Sequence, residues 1–494
     1  MKKTVSLLLI FCMALTIAAC GSHDAAVPDQ TTAAASETEA VTETTLYMED
    51  DLPDTLNYNG RTVTTFGWSG ASIEEFFVEE INGEIINDSI FERNLAVSER
   101  LNVDLQYHIE PGANAQRKEW VNSVSKAVMS GEGAYDITAG YSMCGASLAS
   151  AGMVLELSGL EYLDFDKPWW PDSLMKEAVV GGKLYFASGD ISSRMLAYIF
   201  GVFFNKKLAE SYGISGLYET VTDGSWTTDK MTSMIKDVYS DVNGDGNKGE
   251  EDLYGLLVHI TYSDSLYFAN GLRTTELDSD GRPVLSEDFL GVKAQTLLEK
   301  LVGIFAENYA FLQNYGTNGD GYSRAKAIFV GERAIFMIGE LNLAMNTLRD
   351  TEISYGILPI PKGSETQDSY RTVMSFPYTL YGVPLDAKDP EMSGAVMERL
   401  ASESYRTVSP AIFEISLKVK YSEDVEMSEM YDIIRGSVVF DFGRIFNDNL
   451  SSQTYSLFRN SVLSGNTDWA STIAKNKDSL SAMLDTVVTS LMGE

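Results

Sequence analysis

From about residue 60, the hydrophobic pattern switches repeatedly between the period of a strand and that of a helix. Alternating apolar positions, rich in β-branched and aromatic residues, predict three strands at 61–66, 103–107 and 134–138. Apolar residues at helical spacing predict two helices between them: one runs from a cap at Asn87 or Asp88 to about Arg100, and the other ends at Gly131 and Gly133. This β-α-β-α-β order predicts an α/β fold with a mostly parallel sheet.

A second α/β unit is predicted to start near residue 190. It includes a helix over 228–240, a strand over 253–260, a helix around 290–305 and further helical segments near the C-terminus. A short apolar alternation at 355–360 predicts a strand that returns late in the chain.

Two aromatic residues come directly after predicted strands of the first unit. Trp68 and Tyr141 both lie just past a strand end. In open parallel sheets, ligands bind beyond the carboxyl ends of the strands. The sequence therefore predicts that Trp68 and Tyr141 face a ligand cleft.

The first twenty residues have the pattern of an export signal. Two lysines precede an apolar run, Val5–Ala19, which is too short to span a bilayer. The run leads into Ile17-Ala-Ala-Cys20, which resembles a bacterial lipobox. We therefore predict a signal peptide at 1–19 and a lipid anchor on Cys20 at the extracytoplasmic face of the cell membrane. The alternative is an ordinary signal peptide with an incidental cysteine.

The next segment is polar and acidic. Its composition, rich in Thr, Ala, Glu, Asp and Ser, predicts a flexible linker over 20–58. No later stretch approaches the roughly 20 apolar residues of a membrane helix. Of the three cysteines, only Cys144 lies beyond this region, which leaves no pair for an intrachain disulfide. Cys144 fits a small buried residue better than a nucleophile.

The net charge of −34 limits the possible partners. Nucleic acid and anionic lipid headgroups would repel such a chain, so the predicted membrane contact is the lipid anchor alone. With 44% hydrophobic residues, the chain is nevertheless able to build large cores.

Several segments together resemble the extracellular solute-binding proteins of the maltose-binding, family 1 type. Gly182–Gly189 and Phe203–Leu208 resemble the strand that crosses into the second lobe and the motif after it. Tyr355–Gly363 resembles the late strand and proline loop, and Val383–Pro390 resembles the return to the second lobe. The order and spacing of these segments over residues 60–440 carry the resemblance.

The resemblance implies a periplasmic-binding-protein-like fold of two discontinuous α/β lobes around a hinge and a ligand cleft. The lobes would comprise 59–188 with 325–372, and 189–324 with 373–494. The implied function is capture of a carbohydrate, an oligosaccharide, by hinge closure, and its delivery to the permease subunits of an ABC-type importer. Such a receptor is not an enzyme.

Carbohydrates present flat C–H faces and a rim of hydroxyls, so their sites combine aromatic rings with fixed polar groups. Trp169 and Trp170, between two prolines, are candidate aromatic platforms, with a core role as the alternative. Asp190 could accept hydrogen bonds from sugar hydroxyls, or it could cap a helix or turn. The resemblance also implies that Glu340 lies at the cleft. It implies that the late crossing strand passes the cleft with Phe376, Tyr378 and Tyr381, of which alternate residues face away, and Tyr378 is the predicted site residue of this strand.

An acidic loop over 241–252 has the spacing of an EF-hand calcium loop, with Gly246 at the position of the sharp turn. The segment after the loop is a predicted strand and not a second helix, which suggests a structural Ca²⁺ site. An acidic Gly-Asn turn without metal is the alternative. The predicted ligands are Asp241, Asn243, Asp245, Asn247 and Asp252.

Two other functions compete with the receptor: an exported glycan-degrading enzyme, that is a glycosidase, and a surface glycan-binding adhesin. A glycosidase needs two carboxylates, but among 71 acidic residues such a pair is always available. The chain has no Gly-x-Ser-x-Gly, His-Glu-x-x-His or Gly-x-x-x-x-Gly-Lys motif, and its three histidines are isolated.

Overall fold

The computed structural model describes residues 48–317, 319–413 and 425–493. The predicted signal peptide, Cys20 and most of the predicted linker lie outside these residues. The strands are β1 (Arg61–Ser69), β2 (Val103–Pro111), β3 (Ile137–Tyr141), β4 (Phe200–Asn205), β5 (Tyr239–Ser240), β6 (Leu253–His259), β7 (Thr275–Leu277), β8 (Pro283–Leu285), β9 (Ala310–Gln313), β10 (Ala334–Glu340), β11 (Tyr355–Leu358) and β12 (Thr379–Gly382).

Helices surround these strands. The α-helices of the first half are α1 (Ile85–Leu101), α2 (Arg117–Ser130), α3 (Ser142–Ser150), α4 (Asp172–Ala178), α5 (Ser193–Ala197), α6 (Lys206–Ser211), α7 (Leu217–Thr222) and α8 (Thr228–Ile235). Those of the second half are α9 (Ser263–Ala269), α10 (Glu287–Leu290), α11 (Val292–Ala306), α12 (Gly321–Val330), α13 (Pro390–Arg406), α14 (Val408–Pro410), α15 (Val425–Gly436), α16 (Phe442–Ile445), α17 (Tyr455–Ser464) and α18 (Trp469–Met492). Short turns of 3₁₀ or π-helix are Ile260–Tyr262, Leu343–Thr347 and Leu348–Asp350.

The first sheet has the strand order β12-β3-β1-β2. β1 pairs in parallel with both β2 and β3, as the β-α-β-α-β pattern predicts. α1 crosses between β1 and β2 with Ile90, Val97 and Leu101 buried, and Asn102 ends it in a left-handed conformation with φ of 50°. The predicted cap at Asn87 or Asp88 is wrong. The helix begins at Ile85, and Asp88 lies in its first turn, where its carboxylate accepts amide protons from the preceding loop.

The second sheet has six strands in the order β11-β4-β10-β6-β5, and β9 also pairs with β6. β6, β9 and β10 are parallel, whereas β4, β5 and β11 pair antiparallel to their neighbours. A separate pair, β7 with β8, completes the strands of the described residues. The mixed α/β class predicted from the sequence is confirmed. The predicted helix over 228–240 is shorter, because the chain turns into β5 after Ile235.

The late strands β10, β11 and β12 join different sheets from those that the predicted lobe boundaries imply. β10 and β11, which the prediction placed with the first lobe as part of 325–372, hydrogen bond to β6 and β4 of the second sheet. β12, placed with the second lobe as part of 373–494, instead pairs with β3 of the first sheet. Local hydrophobic pattern identifies a strand but carries no information about which distant strand it pairs with.

The end of the predicted linker is packed against the folded body. Leu52 is buried, and the Asp50 carboxylate lies 2.9 Å from the Arg399 guanidinium and also accepts a hydrogen bond from Ser402. Lys167 binds Asp51 at 2.5 Å. These partners are far away in sequence, so an acidic composition that suggests flexibility conceals an ordered segment before residue 58. Among the described residues, no helix has the length and apolar character needed to cross a membrane.

Candidate functional site

A cleft of about 1060 Å³ lies where strands of both sheets end. The first sheet contributes Trp68 at the end of β1 and Tyr141 at the end of β3. The second sheet contributes His259 and Glu340, the last residues of β6 and β10. The cleft is thus built at carboxyl ends of parallel strands, which is where open α/β sheets bind ligands.

Three of the predicted site residues line the cleft: Trp68, Tyr141 and Glu340. The Trp68 ring is fully buried and packs edge-on against Tyr141, with ring centroids 5.2 Å apart. The Arg194 guanidinium lies 4.4 Å from the Trp68 ring centroid, and the indole N–H donates to Thr379 Oγ1 at 2.9 Å. Because its ring is fully buried and its N–H is already hydrogen bonded, Trp68 supports the cleft wall and offers no open stacking surface.

Open aromatic surface is provided by other residues. Tyr315 is 40% exposed, and Tyr322 and Phe376 are half-buried in the cleft lining. Phe376 stacks on Tyr455 at a centroid distance of 5.7 Å, and the Arg444 guanidinium lies 4.1 Å from the Phe376 centroid. A ring fixed in this way is pre-organised to receive a flat apolar ligand face.

Glu340 is a buried carboxyl with three polar neighbours. It accepts hydrogen bonds from the Tyr322 hydroxyl and from Asn342 Nδ2, the latter at 3.2 Å. Burial raises the pKa of Glu340, and the hydrogen bond from Tyr322 and the charge of Lys326 oppose that rise. The Lys326 ammonium lies 4.2 Å from the Tyr322 ring centroid. Tyr322 thus contacts both the Glu340 carboxyl and the Lys326 ammonium in the cleft lining.

Arg459 organises another part of the lining. Its guanidinium forms a two-pronged ion pair with the buried Asp264 carboxylate, and Nη1 donates to the Tyr315 hydroxyl at 3.1 Å. Burial lowers the pKa of His259 to about 4, with a further contribution from the charge of Arg459. His259 is therefore neutral at physiological pH and can serve as a hydrogen-bonding group.

Sequence reasoning missed Arg444, Asp448, Tyr455 and Arg459, which all come from the region after residue 440 and all line the cleft. The signal that could have located them is weak, because Arg and Tyr in a helical pattern are equally typical of a solvated helix face.

Three cleft residues carry buried polar atoms that have no hydrogen-bond partner within the described part of the chain. They are the Tyr262 hydroxyl, Arg444 Nε and Asn447 Oδ1. Buried polar groups are normally satisfied, so unpaired ones in a cleft mark positions that a ligand can satisfy. Together they offer donors and an acceptor, which matches hydroxyl groups of either role.

Residues 95–405 match the family model of bacterial extracellular solute-binding proteins. The chain belongs to this family. A comparison with curated proteins finds no significant match.

Solved structures share the fold of this solute-binding protein. The GacH receptor of Streptomyces glaucescens GLA.O, solved unliganded and with acarbose, is 16% identical with a TM-score of 0.54, over 86% of this chain and 99% of that one. A cyclo/maltodextrin-binding protein complexed with maltotetraose is 14% identical with a TM-score of 0.54, over 87% and 96% of the two chains. Lmo0181 from Listeria monocytogenes, an ABC substrate-binding protein in complex with cycloalternan, is 12% identical with a TM-score of 0.53, over 86% and 99%. These similarities confirm the predicted periplasmic-binding-protein-like fold.

Trp169 and Trp170, predicted as aromatic platforms, lie outside the cleft of the solute-binding protein. Both rings are buried, and both indole N–H groups donate at 3.0 Å to the two carboxylate oxygens of Glu398 on α13. The structure therefore places this pair in the core, in agreement with the alternative interpretation. The flanking prolines restrict the backbone, but they restrict it equally well in a core turn.

Asp190 and Tyr378 are also outside the cleft lining. The buried Asp190 carboxylate pairs with Arg435 at 2.9 Å and accepts a hydrogen bond from Ser409. Tyr378 is buried next to Phe440, while its neighbour Phe376 faces the cleft. The two positions differ in environment although they are only two residues apart: Phe376 lines the cleft, whereas Tyr378 does not.

The buried Glu398 predicts a pH dependence of stability. Burial raises its pKa to about 7, against hydrogen bonds from Trp170 and Trp169 that favour the ionised form. The folded protein therefore holds this proton more tightly than the unfolded chain, and the stabilisation is complete below the unfolded pKa and lost as the pH rises through 7. We therefore expect the free energy of unfolding to fall by about 1 kcal/mol as the pH rises from roughly 6 to 8, because Glu398 loses its proton in the folded protein over this range. Urea unfolding of the wild-type protein and of E398Q at several pH values checks this, since the variant should lack the part of the pH dependence that Glu398 contributes. An equal pH dependence in both would contradict the assignment.

The predicted calcium loop is a hydrogen-bonded turn. Asp241 accepts the amide protons of Gly244 and Gly246 at 2.7 and 2.9 Å. Gly246 has φ of 72°, which fits the sharp turn of an EF-hand loop. The buried Asp252 carboxylate, however, accepts amide protons from Val242 and Gly249. Within the described residues, no group of three or more His, Cys, Asp or Glu side chains converges as a metal site.

Proposed function

We propose that this solute-binding protein is the carbohydrate receptor of an ABC-type importer and holds an oligosaccharide in the cleft. The observation that carries the proposal is the combination of accessible rings at Tyr315, Tyr322 and Phe376 with buried polar atoms that lack partners among the described residues. Rings can stack on the flat faces of sugar units, and the unpaired atoms can bind their hydroxyls.

The size of the cleft supports an oligosaccharide. Pockets for small molecules typically measure roughly 300–1,000 Å³, and this cleft measures about 1060 Å³. Three solved structures of the same fold were obtained with acarbose, maltotetraose and cycloalternan. Membership in an extracellular solute-binding family supports delivery to permease subunits and an anchor at Cys20 on the extracytoplasmic face.

The acids of the cleft favour a receptor over a glycosidase. Within the described residues, the lining contains the carboxyl groups of Asp264, Glu340 and Asp448. Asp264 is paired with Arg459 and Asp448 with Arg117, which leaves Glu340 as the one of these three without an arginine partner. Glycoside hydrolysis requires two carboxyl groups, one acting as acid and one as base or nucleophile. We therefore propose that the solute is released unchanged.

A panel of oligosaccharides that differ in sugar and linkage tests the proposal. Calorimetric titration of the purified protein should show saturable binding of at least one series, and chromatography should recover that sugar intact. Cleavage products would support the glycosidase, and no binding to any soluble glycan would leave the adhesin as the better hypothesis.

We also propose that the loop over 241–252 binds Ca²⁺ and stabilises the surrounding α/β unit. Its spacing and its sharp turn support this, although Asp252 must exchange amide partners for the cation. Millimolar CaCl₂ should raise the midpoint of thermal unfolding by a few degrees over a sample in EDTA. D245A should abolish this rise, whereas D278A, in the β7–β8 turn, should keep it. An equal midpoint with and without Ca²⁺ would leave the loop as a metal-free turn.

A further inference from the structure

A second cavity of about 560 Å³ adjoins the cleft. It lies between α2, α3 and the turn over 447–452, and it is lined by polar residues that do not line the cleft, such as Lys118, Asn122 and Ser147. Its volume is within the range of roughly 300–1,000 Å³ that is typical of ligand pockets. The cavity is therefore large enough to hold part of a ligand.

The wall between the cleft and the second cavity consists of few side chains. Arg117, Met143, Asp448 and Ser452 line both spaces. Arg117 Nε donates to the Asp448 carboxylate, so an ion pair bridges from the first turn of α2 to the turn over 447–452. Both side chains are partly exposed, and both line the two cavities.

Both ends of the bridge are held in place. Arg117 Nη1 also donates to the Asn114 side-chain oxygen at 2.8 Å, which fixes the direction of the guanidinium. On the other side, Ser451 and Ser452 have φ of 53° and 56°, a conformation that is strained for residues with a side chain. Ser452 N donates to the Asn447 carbonyl at 2.8 Å and closes this turn.

We propose that the Arg117–Asp448 ion pair is a partition that ends the carbohydrate cleft and sets the longest oligosaccharide that the protein binds. The second cavity is then an extension of the site that the partition closes off. This inference rests on the proposed function, because it assigns a ligand-length limit to the same cleft. Asn447, whose Oδ1 has no hydrogen-bond partner among the described residues, precedes Asp448 in the chain and lines the cleft but not the second cavity, so it offers an acceptor on the cleft side of the partition.

Binding to length-graded oligosaccharides tests the partition. The probes are α-1,4-glucan, β-1,4-glucan and β-1,4-xylan oligomers, increased from the disaccharide in steps of one unit and titrated calorimetrically. For the wild-type protein, affinity for the bound series should rise with length and then stop. For R117A, affinity should rise for at least one further unit, by about fivefold, since added hydrogen bonds are worth about 1 kcal/mol each. R61A removes the ion pair with Asp389, which lines neither cavity, and should keep the wild-type limit.

The outcomes separate this inference from the proposed function. If the wild-type protein binds no glycan in these series or in the wider panel, the proposed function fails and the partition fails with it. If it binds a series but R117A stops at the same length, the receptor stands and the partition is overturned. D448S removes the same ion pair from the Asp448 side and must also bind longer oligosaccharides than the wild type. If circular dichroism shows that R117A does not fold, D448S provides the test.

Discussion

Trp169→Ala should lower the free energy of unfolding by about 3–5 kcal/mol. The Trp169 ring is fully buried, packs 6.1 Å from the Tyr405 ring centroid, and donates its N–H to Glu398. Truncation removes this packing and leaves a cavity, and it also leaves one oxygen of a buried carboxylate without its donor. Urea unfolding followed by circular dichroism measures the change.

The control for Trp169→Ala separates packing from hydrogen bonding. Trp169→Phe keeps most of the ring volume and loses chiefly the N–H, so we expect a smaller loss of about 1–2 kcal/mol. In both variants the folded fraction should bind glycans with unchanged affinity, because Trp169 does not line the cleft. A stable Trp169→Ala protein with weakened glycan binding would restore the role predicted from the sequence.

The two tryptophans show why sequence identifies candidate platforms but not their exposure. A Trp-Trp pair between prolines has the same local pattern in a binding loop and in a core turn. The difference lies in Glu398, which is remote in sequence and accepts both indole protons. By contrast, the structure places Trp68 and Tyr141 in the cleft lining, as the strand-end rule predicts. That rule needs only the order of strands and helices and the ends of the strands, which local periodicity does reveal.

The prediction failed where it depended on pairing between strands that lie far apart in the sequence. The α/β class and the first three strands can be predicted from periodicity, since each strand and helix carries its own signal. The assignment of β10, β11 and β12 to sheets cannot, because hydrogen-bond partners of a strand are not encoded in its own alternation. Arg459 could not be predicted for a similar reason, because its place in the cleft depends on contacts with Asp264 and Tyr315, which are distant in the sequence.

Phe376→Ala is expected to weaken glycan binding by about 10- to 100-fold, which corresponds to about 1.4–2.8 kcal/mol. Phe376 is a half-buried ring of the cleft whose position is fixed by stacking on Tyr455 and by the Arg444 guanidinium. Alanine removes the flat surface on which a sugar face can stack. Calorimetric titration with the glycan that the wild-type protein binds measures the loss.

A matched aromatic outside the cleft distinguishes lost stacking from a general loss of structure. Phe311 is also half-buried and also stacks on a tyrosine, Tyr254, at a centroid distance of 4.8 Å, but it does not line the cleft. Phe311→Ala should therefore cost stability and leave the dissociation constant within about twofold of wild type, as expected for a residue that makes no ligand contact. If both variants bind equally well, Phe376 is not a sugar platform, and Tyr315 and Tyr322 become the remaining aromatic candidates.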